Sequence, residues 1–306
     1  MNLPKTLIGK NSILFLTNDT ADELQVHCNN LLKVGDLTLS RYTFTNYIMF
    51  VYPNKSLIYK DYLPDEYIFK YRPALDIYKL KFKTNIYDLN EILQFEQDVY
   101  YKTDTHINIK GNYIVYKYFI EILNSRLNVN IIPKHIELNI KSCELKTLPY
   151  GIGDLTWEHN LGQQVLHDIN DNFYYHDECT WFYFSYKIKN DNNIRFLNYE
   201  LDDNTSNIEN KLVDWNIISD HIIYITHLDT TLSFPFSSST TERYNNDNKI
   251  PLKVIIFYDS LLLNVLPLYF DLFNEIYFVK NQYSNDIINK IKPDYVFEFR
   301  VERFLF

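Results

Sequence analysis

The sequence lacks several features that mark whole classes of protein. It contains no run of about 18 apolar residues, the length that a helix needs to cross a bilayer, so we predict no membrane span and no direct membrane insertion. Its first residues, MNLPK, do not lead into the apolar core of a secretory signal. It has only 3 cysteines, without metal-site spacing, which is typical of reduced thiols in a reducing compartment. We therefore expect a cytoplasmic or intracellular protein, extracytoplasmic only if a leader was removed.

Positive charge is also scarce. The chain has 30 lysines and arginines against 39 aspartates and glutamates, which gives a formal net charge of -9. A nucleic-acid partner requires a basic surface that neutralises phosphates, and no basic stripe is present. The composition therefore argues against binding to DNA or RNA.

Histidine is too sparsely placed to indicate a metal centre. The densest group consists of His159, His167 and His176 with Asp177, and its spacing fits neither a zinc-binding helix nor a zinc finger. The other histidines are typical of surface or hydrogen-bonded core positions. We therefore predict neither a metal nor a cofactor.

The residues that are present predict an α/β protein. At 306 residues and 46% hydrophobic content, the chain can bury the core of one large domain or two. Apolar strands such as Tyr47–Tyr52 alternate with helices over residues 1–126 and 250–306, which predicts a mainly parallel sheet covered on both faces. Residues 127–249 contain alternating and aromatic-rich runs separated by polar turns. We interpret them as a β-rich insertion, or an elaboration of the same domain.

One stretch near the C-terminus has the pattern of a nucleophile strand. Lys253–Ser260, KVIIFYDS, is an apolar run that ends abruptly in Asp-Ser, and an apolar segment with Pro267 inside follows it. A serine between a strand and a helix can face the unpaired N–H groups of the helix start. By itself, this pattern is more often an ordinary polar strand end. The elements that we predict after Ser260 are a helix over 261–273, a strand over 275–279, a helix over 285–291 and a strand over 295–299.

A second stretch supplies the groups that such a serine needs. Asp104 and His106 stand two residues apart before an amphipathic helix with Asn108 as its expected N-cap. An imidazole can take the serine proton while a carboxylate fixes its tautomer. Alone, Asp-x-His is more often a capped turn.

The wider motif carries a family resemblance. Residues 100–111 read YYKTDTHINIKG and resemble the motif of the alginate O-acetyltransferase group, AlgJ and AlgX, a permuted branch of the SGNH hydrolases. In that group the Asp-His pair comes early and the Asp-Ser comes late, which is the order found here. Further landmarks of the group follow in the same order along nearly the whole chain, at residues 7–16, 50–55, 153–155, 293–296 and 301–305.

The resemblance implies a fold and a reaction. The fold is a three-layer α/β/α SGNH-hydrolase-like (flavodoxin-like) arrangement, circularly permuted, with a mainly parallel sheet. The reaction is acyl transfer, in which His106 deprotonates Ser260, Asp104 orients His106, and the Ser260 N–H holds the oxyanion. The partners are an acetyl donor and a carbohydrate acceptor, with a partner protein as a further source of the acetyl group. The alternatives are a carbohydrate O-acetyl esterase and a catalytically silent module that binds a glycan or a partner.

The second oxyanion donor is less clear from the sequence. In unpermuted SGNH enzymes, which the order of elements near the C-terminus resembles, the asparagine of a Gly-x-Asn assists the oxyanion; its position falls near Arg303, and Val301 stands where the glycine would be. We predict three candidates for oxyanion or substrate binding: Arg303, Asn108 and Asp259. A salt bridge from Arg303 to Glu298 or Glu302 is the favoured alternative role for that arginine. Ile107 and Leu261 replace the Trp and Phe usual in the group, and these changes would reshape the pocket without touching the proton relay.

Overall fold

The computed structural model describes residues 5–30, 42–101, 104–133, 135–140, 154–156, 184–190, 193–197, 216–219, 222–226, 250–269 and 272–305. Its strands are β1 (Thr6–Ile8), β2 (Leu14–Leu16), β3 (Tyr47–Tyr52), β4 (Ile86–Asp88), β5 (His135–Ile140), β6 (Phe184–Asn190), β7 (Asn193–Leu197), β8 (Asn216–Ser219), β9 (Ile222–Thr226), β10 (Ile250–Tyr258), β11 (Phe273–Val279) and β12 (Tyr295–Val301). Its α-helices are α1 (Glu23–Asn29), α2 (Lys55–Ile58), α3 (Pro73–Phe82), α4 (Asn90–Leu93), α5 (Ile109–Leu127) and α6 (Asn285–Ile291). Short 3₁₀ helices lie at Lys10–Ser12, Lys60–Tyr62, Lys83–Asn85, Asp154–Thr156, Ser260–Leu268 and Glu302–Phe304.

The central sheet has seven strands in the order β4-β3-β12-β10-β11-β9-β8. The strands from β4 to β11 are parallel, and β9 and β8 extend the sheet with antiparallel pairings. The chain leaves β10 toward β11 and returns on the opposite side of β10 as β12. In open α/β sheets, ligands bind outside the carboxyl ends of the strands at such a reversal. The loops that follow β3, β10 and β12 meet at this edge.

Apolar side chains cover both faces of the sheet. All six residues of β3 are buried, as expected for a strand that is covered on both sides. Ile48, Phe50 and Tyr52 belong to a core shared with α5 and the Ser260–Leu268 helix, whereas the alternate residues of β3 belong to a second core shared with α3 and α6. This confirms the predicted layers of helices on both faces of a mainly parallel sheet.

The segment after β10 differs from its prediction. We expected a helix over residues 261–273, but the chain forms a 3₁₀ helix at Ser260–Leu268, and β11 already begins at Phe273. A proline inside an α-helix removes one backbone hydrogen bond and disfavours the regular helix, which agrees with the absence of an α-helix at Pro267.

Part of the region 127–249 joins the central sheet. β8 and β9 lie beyond β11, while β5, β6 and β7 form a separate antiparallel sheet of three strands. Whether the region is an insertion or an elaboration of the same domain stays a prediction. No helix in the described part of the chain is both long and apolar enough to span a membrane.

A buried ion-pair cluster joins the ends of three elements at the functional edge of the sheet. Arg72 donates to both oxygens of Asp88, at 2.5 and 2.9 Å, and to both oxygens of Glu302, at 3.1 Å to Oε1 and 2.6 Å to Oε2. Lys79 donates to Asp88 at 3.1 Å. The cluster ties the start of α3 to the ends of β4 and β12.

Replacing Arg72 with alanine should destabilise the fold by about 3–5 kcal/mol, because two buried carboxylates would lose their shared partner. Urea denaturation followed by circular dichroism measures this as a lower midpoint at an unchanged slope. Lys10→Ala is the matched control, since its partner Asp65 has a 92% exposed side chain and the pair should contribute nothing measurable. Equal midpoints for the two variants would contradict the structural role given to the cluster.

Candidate active site

Two loops bring the predicted catalytic side chains together. Ser260 follows the end of β10, and Asp104 and His106 lie in the turn before α5. His106 Nε2 lies 2.8 Å from Ser260 Oγ, and His106 Nδ1 lies 2.5 Å from Asp104 Oδ1. A protonated Nδ1 that donates to Asp104 leaves Nε2 free to accept the serine proton. The three side chains therefore form one hydrogen-bonded chain; that they catalyse a reaction stays a prediction.

The position of this chain suits a reactive group. Asp104 is buried, whereas the His106 side chain is 23% exposed and reaches the edge of the fold. Among the described residues, the backbone N–H of Ser260 has no hydrogen-bond acceptor. An unengaged N–H beside a serine hydroxyl is the kind of donor that a tetrahedral oxyanion requires.

The charges around His106 favour its protonated form. Burial lowers the pKa of His106, but the hydrogen bond and charge of Asp104, with the charge of Asp154, outweigh burial and raise this pKa above its usual value. The Arg303 guanidinium opposes them. Burial likewise raises the pKa of Asp104, but the hydrogen bond and charge of His106 outweigh it and lower this pKa. The pair therefore favours an imidazolium beside a carboxylate.

Asp104 is held in place from its backbone and its side chain. The buried Lys55 at the start of α2 donates from Nζ to the carbonyl oxygen of Asp104 at 3.0 Å. The backbone N–H of Asp154 donates to Asp104 Oδ2 at 3.0 Å, and the N–H of His106 donates to Oδ1 at 2.8 Å. With these donors the carboxylate is fixed in the rotamer that meets His106.

Asp259, a predicted oxyanion or substrate contact, holds the serine turn, and a contact with substrate stays a prediction. Its Oδ1 accepts from the N–H of Leu261 at 3.0 Å, and its Oδ2 accepts from the N–H of Val301 at 2.7 Å. Both oxygens are therefore engaged with backbone, and a carboxylate would repel an oxyanion. Asp259 caps the Ser260–Leu268 helix and ties it to the end of β12.

Asn108, another predicted contact, is engaged in the same way. Its Oδ1 accepts from the N–H of Gly111 at 2.9 Å, and its Nδ2 donates to the carbonyl of Asp98 at 2.6 Å. This is the N-cap of α5 that the sequence predicts. A Cβ at Gly111 would lie 2.6 Å from the carbonyl oxygen of Val99, so glycine is needed where the helix meets that strand-like segment.

Arg303, the remaining predicted contact, lies at the end of β12 beside the site. The predicted salt bridge to Glu298 or Glu302 is wrong, because Arg300 pairs with Glu298 and Arg72 pairs with Glu302. Arg303 Nη1 instead lies 3.7 Å from Glu23 Oε2. Within the described residues its guanidinium makes no hydrogen bond, and it lies over the Phe304 ring at 5.1 Å.

Glu23 explains why that ion pair is unusual. Burial raises the pKa of the Glu23 carboxyl, although the charge of Arg303 and the hydroxyl of Ser56 act in the opposite direction. Ser56 donates to Oε1 at 2.6 Å, while Oε2 has no hydrogen-bond donor in the described part of the structure. The pair is therefore a charge contact without a hydrogen bond.

Several residues that shape the site were not singled out as site residues from the sequence. Asn112 donates to the carbonyl of Leu261 at 2.6 Å and accepts from the Tyr52 hydroxyl at 2.7 Å, which anchors the serine turn to α5 and β3. Lys55 and Asp154 hold Asp104. In the sequence, Lys55 and Asp154 are marked only as part of the family landmarks at residues 50–55 and 153–155. Those landmarks indicate where the residues lie in the motif order but not what they do.

A metal is not assigned to this site. Ligand atoms of Asp104, His106 and Asp154 lie within 4.8 Å of one another. Their mutual hydrogen bonds and those to the N–H groups of the turn already use these atoms, and a cation would have to displace the imidazole from Asp104. The histidines His159, His167 and His176, weighed from the sequence together with Asp177, lie outside the described residues.

Comparison with known proteins gives a fold and no family. Neither a scan against models of protein families nor a search of curated proteins finds a match. The O-acetyltransferase domain of Pseudomonas putida AlgJ is similar over 99% of this chain and 92% of its own, with 14% identity and a TM-score of 0.50. Bacillus cereus PatB1 matches over 85% and 83%, with 15% identity and a TM-score of 0.46. A DHHW family protein from Eubacterium siraeum matches over 99% and 95%, with 15% identity and a TM-score of 0.43.

At these identities the similarity concerns the fold. The AlgJ domain and this chain share a mainly parallel α/β sheet with flanking helices, which agrees with the SGNH-like fold predicted from the sequence. The two weaker likenesses add nothing to that conclusion.

Proposed function

We propose that this protein transfers an acyl group, namely acetyl, to a glycan hydroxyl through an acyl-serine intermediate on Ser260. The observation that carries the proposal is the hydrogen-bonded chain from Ser260 through His106 to Asp104 at the carboxyl edge of the sheet. A hydroxyl bonded to an imidazole that a carboxylate orients is the arrangement that activates serine as a nucleophile.

The first half-reaction loads the enzyme. Ser260 Oγ attacks the acyl carbonyl as its proton passes to His106 Nε2, and Asp104 stabilises the resulting imidazolium. The tetrahedral intermediate then collapses, the donor's leaving group departs with the proton from His106, and the acyl group stays on Ser260. Each proton transfer of this step therefore uses a hydrogen bond that the structure already contains, between Ser260 and His106 or between His106 and Asp104.

The oxyanion of that intermediate needs donors. The Ser260 N–H is the first, and one such donor contributes roughly 3 kcal/mol to stabilising the transition state. We assign the second to Arg303, whose guanidinium lies near His106 and makes no hydrogen bond in the described chain. A cation there disfavours the imidazolium but favours the oxyanion that forms with it.

The second half-reaction decides the class of enzyme. A glycan hydroxyl that gives its proton to His106 and attacks the acyl-serine makes the protein a transferase, and water in the same position makes it an esterase. The fold shared with an O-acetyltransferase domain supports the transferase. Its partners are then an acetyl donor and a carbohydrate acceptor, with a second protein as a source of the acetyl group.

Turnover of 4-nitrophenyl acetate with and without oligosaccharide acceptors tests this function. The transferase should release 4-nitrophenol faster with an acceptor and form an O-acetylated glycan. An esterase releases free acetate at a rate that the acceptor does not change. A catalytically silent binding module releases neither product above the buffer rate, and that outcome would refute the proposal.

The rate should depend on pH through His106. Because the imidazole acts as a base only when neutral, kcat/KM should rise as the pH increases through the pKa of His106. That pKa is raised above 6.5 despite burial, through the hydrogen bond and charge of Asp104, so the acid limb should lie above pH 6.5. A pH–rate profile of ester turnover measures it, and a limb below pH 6.5 would contradict the electrostatic account of the site.

A further inference from the structure

A second carboxylate lies against the turn that carries Asp104 and His106. Asp154, at the start of a short 3₁₀ helix, accepts from the N–H of Thr105 at 2.8 Å and from the Thr105 hydroxyl at 2.5 Å. Its Oδ2 also lies 3.7 Å from His106 Nδ1. Asp154 therefore contacts the residue between the two predicted catalytic side chains and approaches the imidazole itself.

The backbone of the same residue holds the first carboxylate. The N–H of Asp154 donates to Asp104 Oδ2 at 3.0 Å, while Asp104 Oδ1 receives the N–H and the Nδ1 of His106. The side chain of Asp154 thus binds the turn at Thr105, and the backbone N–H of Asp154 fixes the orientation of the Asp104 carboxylate. A segment 50 residues away in the chain completes the geometry of the Asp-His pair.

A second carboxylate anion, that of Asp154, is unfavourable in this buried position beside Asp104. Burial raises the pKa of Asp154, and the charge of Asp104 raises it further, while His106 and the two Thr105 hydrogen bonds lower it. If the turn needed only a hydrogen-bond acceptor, a neutral side chain would provide one without this cost. A carboxylate whose Oδ2 lies 3.7 Å from His106 Nδ1 can in addition stabilise the imidazolium by its charge.

We propose that Asp154 is a positioning residue for the acyl transfer: it clamps the Asp104–His106 turn and shares with Asp104 the stabilisation of the His106 imidazolium. The proposal rests on the function proposed above. Asp104, which bonds Nδ1 directly, fixes the tautomer; Asp154, at 3.7 Å, adds charge without taking that proton.

Other charged groups besides Asp154 face His106 and also influence its pKa. Asp104 lies on the same turn, and Arg303 opposes both carboxylates from the end of β12. Lys55 reaches the turn from α2 through the carbonyl of Asp104. Among the described residues, Asp104 and Asp154 are the carboxylates that favour the imidazolium, so removal of either negative charge should lower the pKa of His106.

The variant Asp154→Asn tests the proposal by removing the charge and keeping an acceptor for the N–H of Thr105. Titration of the His106 imidazole by NMR should show a lower pKa than in the wild type, and the acid limb of kcat/KM should move to lower pH with KM unchanged. Asp65→Asn makes the same chemical change at an exposed site and should move neither. Asp154→Ser is a second neutral variant should the first fail to fold.

Thr105→Val separates the two roles of Asp154. It removes one hydrogen bond to Asp154 but no charge, so kcat should fall while the pKa of His106 follows the wild type. An unshifted His106 titration in folded Asp154→Asn would overturn the proposal. The NMR titration needs no substrate, so it tests Asp154 even if ester turnover and its dependence on Ser260 refute the proposed function.

Discussion

Ser260→Ala is expected to lose about 10⁶-fold in kcat for ester turnover, the loss found when a serine nucleophile is removed from a triad. The reason is that no acyl-enzyme can form, and the imidazole of His106 then has only water to activate. The fold should be retained, because Ser260 Oγ contacts His106 while the turn itself is held by the carboxylate of Asp259. Stopped-flow release of 4-nitrophenol measures both the burst of acylation and the steady rate.

Ser284→Ala is the matched control for that variant. Ser284 caps α6 through its hydroxyl, so its loss should cost about 1 kcal/mol of stability and leave kcat as in the wild type. The two serine-to-alanine changes therefore separate chemistry from folding. A Ser260→Ala enzyme that keeps the wild-type rate would rule out Ser260 as the nucleophile.

Asp104→Asn should lower kcat by about 10⁴-fold. The amide cannot stabilise the imidazolium, and its NH₂ group favours a proton on the wrong nitrogen of His106. Because Asp104 is buried and its hydrogen bond with His106 raises the pKa of that imidazole, the variant should also titrate His106 at lower pH. Steady-state kinetics and the NMR titration give the two readouts.

Asp76→Asn, on the exposed face of α3, controls for the change of an aspartate to asparagine. It should leave kcat and the titration of His106 unaltered. If Asp104→Asn behaves like this control, the carboxylate plays no part in the reaction and the chain of hydrogen bonds is structural.

The sequence predicts correctly the strands and helices with a clear apolar pattern. It predicts wrongly the segment after Ser260, where a proline within the apolar pattern opposes a regular helix. β3 and α6 begin and end at the predicted residues, because one is a continuous apolar run closed by proline and the other has clear caps. The helix predicted at 261–273 is interrupted by Pro267. The apolar pattern there reports burial, and burial alone does not distinguish an α-helix from a 3₁₀ turn.

The site could be predicted only in its residue types. Asp104, His106 and Ser260 are recognisable because their order and the motif around them match a known group, whereas each pattern alone is common. Asn108 and Asp259 show the limit, since a polar side chain at a helix start can serve a substrate or cap the backbone. Only the three-dimensional structure shows which side-chain atoms are already hydrogen-bonded to the backbone.

Long-range pairings were the least predictable part of the site. The expected partner of Arg303 was wrong because Glu298 and Arg300 lie on the same face of β12 and pair there. The contact between Asp104 and Asp154 joins residues 50 apart in the chain, and no periodic pattern in the sequence indicates it. Such contacts depend on how loops close over the sheet edge.

The mass of the protein quenched during turnover of 4-nitrophenyl acetate tests the central claim most directly. One acetyl group should appear on the peptide that contains Ser260, and the label should be absent from Ser260→Ala with its circular dichroism spectrum intact. A serine-directed phosphonate should modify the same residue and block the acetyl label. An acetyl label on any other residue, or equal labelling of the alanine variant, would contradict the account.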